Sequence, residues 1–350
     1  MIETLAIRNF RGFRSVALEG LKRFNVIVGP NASGKTALLE AIFLACVRTP
    51  EATLRLKAWR GMGDKVAVGD SRASFEALWT DVFFNQHDPI VIEFKDSVQG
   101  RRALTVAYST ESAMTLPPGE QRVPLEVTAP LTFEWRLDGR TEIAEAKLTK
   151  EKGLEITSIS SYYQGVFVHG GPRDANENAK RFSDLSKRKR HLPVVEAVKN
   201  IFPMIRDLSV EIEGPDRHVV YADVEGIENK MPLPLISAGI NRYLSILLAI
   251  CAFPGGVVLV DEIENGFYYS AMPKLLASLL LEAEANRNNT QLFMSTHSME
   301  FLSRIWPSIK EYRGDFCLLR TGRSRSGECT VEQIPGNVME AAIDQNLEIR

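Results

Sequence analysis

The segment Gly29-Pro30-Asn31-Ala32-Ser33-Gly34-Lys35-Thr36 constrains this chain more than any other stretch. It fits G-x-x-x-x-G-K-[ST], in which glycines let successive backbone N–H groups converge on phosphate oxygens while a following helix points its positive end at them. The flanks agree: RFNVIV reads as a short buried strand before the loop, and TALLEAIFLAC as an apolar helix after it. Strand, loop and helix in that order predict an α/β fold of the phosphate-loop nucleotide-binding class. Gly29 to Thr36, Ala32 included, would cradle the phosphates of ATP. Lys35 would reach the β- and γ-phosphates, and Thr36 would offer its hydroxyl to Mg²⁺.

Three later segments supply what such a loop needs. VVLVDE ends an apolar strand with Asp261 and Glu262, at the carboxyl edge where parallel sheets gather ligand groups. Asp261 would hold Mg²⁺ through its water shell, and Glu262 would orient or deprotonate the attacking water. TQLFMSTH ends a second buried strand with His297, which would hydrogen-bond a γ-phosphate oxygen; a strand-end histidine satisfied by backbone is the other reading. Ser237-Ala238-Gly239 precedes a helix, so Ser237 and Gly239 form either an anion-receptive helix start facing the opposite subunit's phosphate or a plain cap.

Between the α/β parts the texture changes. From about Arg48 to Gly165 short β-prone runs such as PIVIEF, ALTVAY and LTFEWRL alternate with turns, and Asp138-Gly139 marks a hairpin. Asn176 to Phe202 reads as two helices divided near Pro193, and SVEIEG and HVVYADVEG as paired strands. We therefore expect an ATPase core from residues 1–47 and 235–350 sharing one sheet, a β-rich lobe at 48–170 and a helical and β lobe at 171–234. Forty-two basic against 44 acidic residues leave a formal charge of -2, so any nucleic acid would be met by a local patch: Lys187 to Arg190, or Arg320, Arg323 and Arg325. Cys46, Cys251, Cys317 and Cys329 have no metal-site or disulfide spacing. With no long uninterrupted apolar run, the expectation is a cytoplasmic protein with no membrane contact.

Taken in order, IRNFRGF, GPNASGKT, SAGINR, VVLVDEIEN and FMSTHS resemble the ABC-type ATPases of the RecF and SMC group, and most of all the OLD-like stand-alone ATPases of bacteria. The resemblance covers roughly Met1 to Ala45 and Leu235 to Leu302, with NLEIR near the end. It implies an ABC-type head in which two subunits sandwich two nucleotides, each using the other's Ser237 and Gly239. It carries Asn31, Ser33, Gly34, Lys35 and Thr36 to phosphate and metal contacts, and Arg11 to a contact near the base or ribose. Ala238 stands where the family commonly has glycine, and EIENGFYYS replaces a His-Leu-His-Pro stretch, which makes Glu264 and Asn265 candidate interface residues. Gln164 and His169 are candidates for the glutamine that links metal to the helical lobe. After the last motif two more strands and a helix are expected, and no Toprim nuclease.

These readings give three functions to choose between. The first is a Mg-dependent ATPase switch, dimeric or of higher order, acting as the sensor of a bacterial anti-phage system on a separately encoded, nuclease-like effector. The second is a RecF-like DNA-binding repair or replication ATPase. The third is a nucleotide-locked scaffold with slow turnover.

Overall fold

The computed structural model describes residues 1–62, 71–97, 100–109, 129–149, 153–157, 159, 165–171, 175–285, 288–309, 314–335 and 338. The chain opens with β1 (Ile2–Phe10), β2 (Phe13–Glu19), β3 (Phe24–Val28), α1 (Lys35–Cys46), α2 (Glu51–Trp59) and α3 (Arg72–Ala77). Next come β4 (Ile90–Asp96), β5 (Gly100–Tyr108), β6 (Leu131–Leu137), β7 (Arg140–Thr149), β8 (Gly153–Ile156) and β9 (Gly165–Val168). A third group holds α4 (Ala175–Lys187), α5 (Leu192–Ile201), β10 (Ile205–Gly214), β11 (Arg217–Val224), β12 (Met231–Pro232), α6 (Leu233–Ile236) and α7 (Ala238–Ala252). The last comprises β13 (Val257–Val260), α8 (Met272–Glu284), β14 (Gln291–Ser295), α9 (Met299–Ile309), β15 (Phe316–Arg323) and β16 (Cys329–Pro335).

Strands buried on both faces go to the middle. β3, β13 and β14 are buried at every residue, the pattern of a covered parallel sheet. They lie in a six-stranded sheet of order β16-β15-β3-β14-β13-β9. All neighbours in it are parallel except the β15–β16 hairpin. Alternate residues face different layers: Val26, Val258, Val260, Leu292 and Met294 pack with α4, α5, α7, α8 and α9. Ile27, Val257, Leu259 and Phe293 pack with α1 and the second sheet. Caught between two sheets, α1 is buried without a break from Ala37 to Cys46, which explains why TALLEAIFLAC carries almost no polar face.

The second sheet is antiparallel, of order β2-β1-β4-β5-β6-β7-β8. Its strands alternate buried and partly exposed residues, as in Ile90–Asp96, so one face meets the core. Asp138 and Gly139 have φ of 41° and 84° between paired Leu137 and Arg140, the two-residue turn whose twist suits a hairpin. The seam between the sheets is stitched by Gln291, whose side-chain oxygen accepts from Ile2 N at 2.8 Å while its amide donates to the carbonyls of Ile2 and Lys22. A small sheet, β10-β11-β12, sits beside α4, α5 and α6.

Sheet membership cuts across the sequence-based boundaries. β1 and β2 join the antiparallel sheet, because Leu5 and Ile7 are buried while Thr4, Ala6 and Arg8 are not. β9, expected in the β-rich lobe, closes the parallel sheet beside β13, because Val166, Phe167 and Val168 are all buried. All four cysteines are buried, and none is in a disulfide among the described residues. Among the described residues no helix is long and apolar enough to cross a membrane. Gln164 and the NLEIR segment lie outside the described residues.

Candidate functional site

Because β3, β9, β13, β14 and β15 run parallel, their carboxyl ends open on one edge. At the end of β3 the chain turns through residues 29–34 into α1. Gly34 caps that helix at φ 103°, and a Cβ there would stand 2.9 Å from the Phe13 ring, so both backbone angle and space require glycine. Lys35 Nζ donates to the carbonyls of Gly29 (2.7 Å) and Pro30 (2.9 Å), which curls its side chain over the loop. Burial holds its pKa below the usual lysine value, against the pull of Asp261, Glu262 and Glu264. Asn31 and Ala32 are exposed, and the buried Ser33 hydroxyl donates to Thr321 Oγ1 at 2.5 Å.

Residues 225 positions apart meet at the loop's far end: Thr36 Oγ1 donates to the Asp261 carboxylate, 3.0 Å from Oδ2. Ser295, the last residue of β14, donates to Asp261 Oδ1 at 2.5 Å and accepts from Glu262 N at 2.8 Å. One hydroxyl thereby fixes both acids. Glu262 has φ 53°, a left-handed angle that turns its side chain out of the strand, and its Oε2 accepts from Asn265 Nδ2. A Cβ on Gly170 would come within 2.9 Å of that oxygen, so a bare glycine just beyond the β9 strand leaves it room.

His297 follows β14, with Nδ1 3.0 Å from Glu264 Oε1, which also accepts from the backbone N of His297 and from Thr296 Oγ1. Glu264 is only 8% exposed. This corrects its expected place at an interface: it is drawn inward because it must satisfy the groups that position His297. Asn265 likewise tethers Glu262.

The other expected residues are held by partners of their own. Arg11 is engaged with buried Glu40 (Nε to Oε2, 2.6 Å) and with Asp81 (3.3 Å). Ser237 caps α7, accepting from Ile240 N at 3.4 Å. Gly239 lies against Gly266, where a Cβ would meet the Gly266 carbonyl oxygen at 2.4 Å. His169 stacks on Trp59 at 5.5 Å, and burial, helped by Arg242, lowers its pKa. Arg320 pairs with Glu332, Lys187 with Asp184, and Arg323 bonds the loop.

Sequence reasoning missed Arg242. Its guanidinium, 4% exposed, donates to the carbonyls of His169 (2.6 Å), Asp261 and Glu262 (3.1 Å), tying the ends of β9 and β13 to the helix headed by Ser237. Desolvation lowers its pKa to about 10, opposed by the three nearby carboxylates. One cation in an otherwise apolar helix, NRYLSILLAIC, was the signal that could have found it. Glu40 in α1 was a similar signal: it is clamped by Arg11 and by both Nε and Nη2 of Arg60.

The donors suit a hard cation. A hydroxyl (Thr36) and a carboxylate (Asp261) stand together, and among the described residues no group of three or more His, Cys, Asp or Glu could hold a metal. Mg²⁺ is usually bound in this way, by few protein oxygens with phosphate and water completing its shell. The edge thus combines an anion cradle, a place for a hard cation, a carboxylate and an imidazole, the set that phosphoryl transfer needs.

A family model described as "AAA domain, putative AbiEii toxin, Type IV TA system" matches residues 24–303. Over 345 residues the chain is 24% identical to an "ATP/GTP phosphatase" of Helicobacter pylori, spanning 89% of each protein. A 79-residue stretch, 23% of this chain and 8% of the relative, is 37% identical to the DNA double-strand break repair Rad50 ATPase of Methanopyrus kandleri. In structure it is similar to an SMC head bound to the C-winged helix domain of ScpA, with TM-score 0.55 at 16% identity, covering 95% of this chain and 97% of that one. A Pyrococcus furiosus SMC head bound to the C-terminal domain of ScpA gives 0.54 at 14%, covering 99% of each. The fold is that of an ABC-type ATPase head, and the chain belongs to this AAA-domain family.

Proposed function

We propose that this protein is a Mg-dependent ATPase whose output is conformational. The observation that carries the reading is the meeting of Thr36 with Asp261, and of both acids with Ser295, at the mouth of the phosphate loop. Lys35 leaves the Gly29 and Pro30 carbonyls for the β- and γ-phosphates, and the amino end of α1 faces the same charge. Thr36 and Asp261 would hold Mg²⁺, which would neutralise charge on the phosphates. Glu262, freed from Asn265, takes a proton from the attacking water. His297, aligned by Glu264, bonds a γ-phosphate oxygen. The name of the Helicobacter pylori relative supports nucleoside triphosphate hydrolysis.

The switch extends beyond one chain. Ser237 and Gly239 engage the nucleotide of a second copy placed head to tail, and Arg242 connects their helix to this chain's acids. Trapping and release of that dimer regulate a separately encoded effector, as the sensor of an anti-phage system. The test is calorimetry of Mg-ATP with wild type and Lys35→Ala, and molecular mass with Glu262→Gln. We expect uptake that Lys35→Ala abolishes, and an ATP-trapped dimer with Glu262→Gln. Uptake indifferent to Lys35 refutes the site; a monomer at saturating ATP refutes the dimeric switch.

A further inference from the structure

Ala32 has φ 61° in the middle of the phosphate loop, an angle that costs an alanine and costs glycine nothing. Its carbonyl accepts a hydrogen bond of 2.8 Å from Arg323 Nε. Arg323 is the last residue of β15, which runs parallel to β3 and so ends on the same edge. Its Nη1 donates to Gly327 O at 3.0 Å, within a turn closed by Ser324 N to Glu328 O at 2.8 Å. The side chain is therefore held from behind.

The same hairpin grips the loop at three more points. Thr321 Oγ1 donates to Val28 O at 3.0 Å and receives the Ser33 hydroxyl. Cys329 Sγ fills the space beside Gly34, where a Cβ would stand 3.1 Å from it, and Cys329 N donates to Gly12 O at 2.8 Å. Val28, Ala32, Ser33 and Gly34 are thus all braced by residues 321–329. In a planar trans peptide, turning the Ala32 carbonyl toward the hairpin turns the Ser33 N–H the other way, into the loop, where Pro30 O accepts it at 3.3 Å.

We propose that the β15–β16 hairpin is a clamp that forms the phosphate loop before nucleotide arrives, and that Arg323 is its positioning residue. By fixing the Ala32 carbonyl outward it offsets the strain at that residue, so that binding need not order the loop. The clamp's ligand rests on the ATP-binding function proposed for the site, whereas the clamp itself rests on the contacts of residues 321–329 with the loop.

The experiment compares Mg-ATP and Mg-ADP affinity by calorimetry, and KM against kcat, for wild type, Arg323→Ala, Arg323→Gln, Ala32→Gly and the double variant Arg323→Ala with Ala32→Gly. Arg323 is exposed, and thermal melting should leave all five alike. Arg323→Ala should weaken ATP and ADP equally, by about tenfold, through lost preorganisation, with KM rising more than kcat falls. Arg323→Gln, which keeps a donor, should fall between. Ala32→Gly in the Arg323→Ala background should restore most of the affinity, because glycine adopts the angle without help. Unchanged affinity in Arg323→Ala overturns the clamp. A loss greater for ATP than for ADP that glycine does not restore also overturns it, in favour of direct phosphate contact. Absence of Mg-ATP uptake by wild type itself removes the functional reading and the clamp's purpose together.

Discussion

In the six-stranded sheet five strands run the same way, so their carboxyl-terminal residues and loops all arrive at one edge: the phosphate loop after β3, His169 after β9, Asp261 after β13, His297 after β14, and Arg323 closing β15. In the seven-stranded sheet every strand runs against its neighbours, and the residues after successive strands are sent to opposite ends. One arrangement can assemble a reaction from distant segments; the other is suited to cover a core. The side chains differ accordingly. Polar groups at the parallel edge are interlocked and partly buried, whereas those on the open face of the antiparallel sheet form exposed pairs such as Arg8–Glu93, at 3.1 Å and about half exposed.

If this contrast is right, substitutions in the two sheets should fail differently. The largest effect is expected for Lys35→Ala, with roughly a hundredfold or greater loss of Mg-ATP affinity and turnover at little change in melting temperature, measured by calorimetry and phosphate release. Trp135→Ala, in the antiparallel sheet, should do the reverse. Trp135 is 3% exposed and stacks on Phe133 at 5.9 Å, so its loss should cost about 3–5 kcal/mol of stability by denaturant unfolding, with ATP affinity kept in the folded fraction. Equal damage to both properties in either variant would erase the distinction.

Arg242→Met should fall between, because it strands three carbonyls at the parallel edge. About 3 kcal/mol of stability should go, and turnover should drop more than nucleotide affinity as Glu262 loses its support. His169 sharpens the comparison by pH. Its folded-state pKa lies below the ordinary 6.5, so its contribution is present above 6.5 and lost as pH falls through the lowered value. His169→Phe should therefore melt with a shallower acid decline than wild type. Smallest of all, Arg8→Ala should change stability by no more than about 0.5 kcal/mol, the worth of an exposed ion pair.

Legibility divides along the same line. The places of the loop, the acids and His297 can be read because a parallel edge gathers the residues at strand ends, and strand ends are visible in sequence as the close of an apolar run. VVLVDE and TQLFMSTH each show it. The helix pair α4 and α5, the second carrying Pro193 in its first turn, and the Asp138-Gly139 hairpin are equally local signals. Partnership across the chain is not legible in this way. Glu264 looks like a surface acid until His297 is beside it, and Arg323 like a nucleic-acid contact until Ala32 is. β9 reads as one more strand of the β-rich lobe because GVFV is as short as its neighbours, and only two-sided burial distinguishes it.

The partners of β3 bear on how the molecule is made. That strand emerges early, yet its hydrogen-bonding neighbours are β14 and β15, and the amide that stitches its start to the first strand belongs to Gln291. During synthesis the nucleotide cradle must wait, unpaired on both edges, until most of the polypeptide has left the ribosome. A ribosome stalled ahead of β14 would then present a nascent chain with the full loop sequence and no capacity to retain ATP.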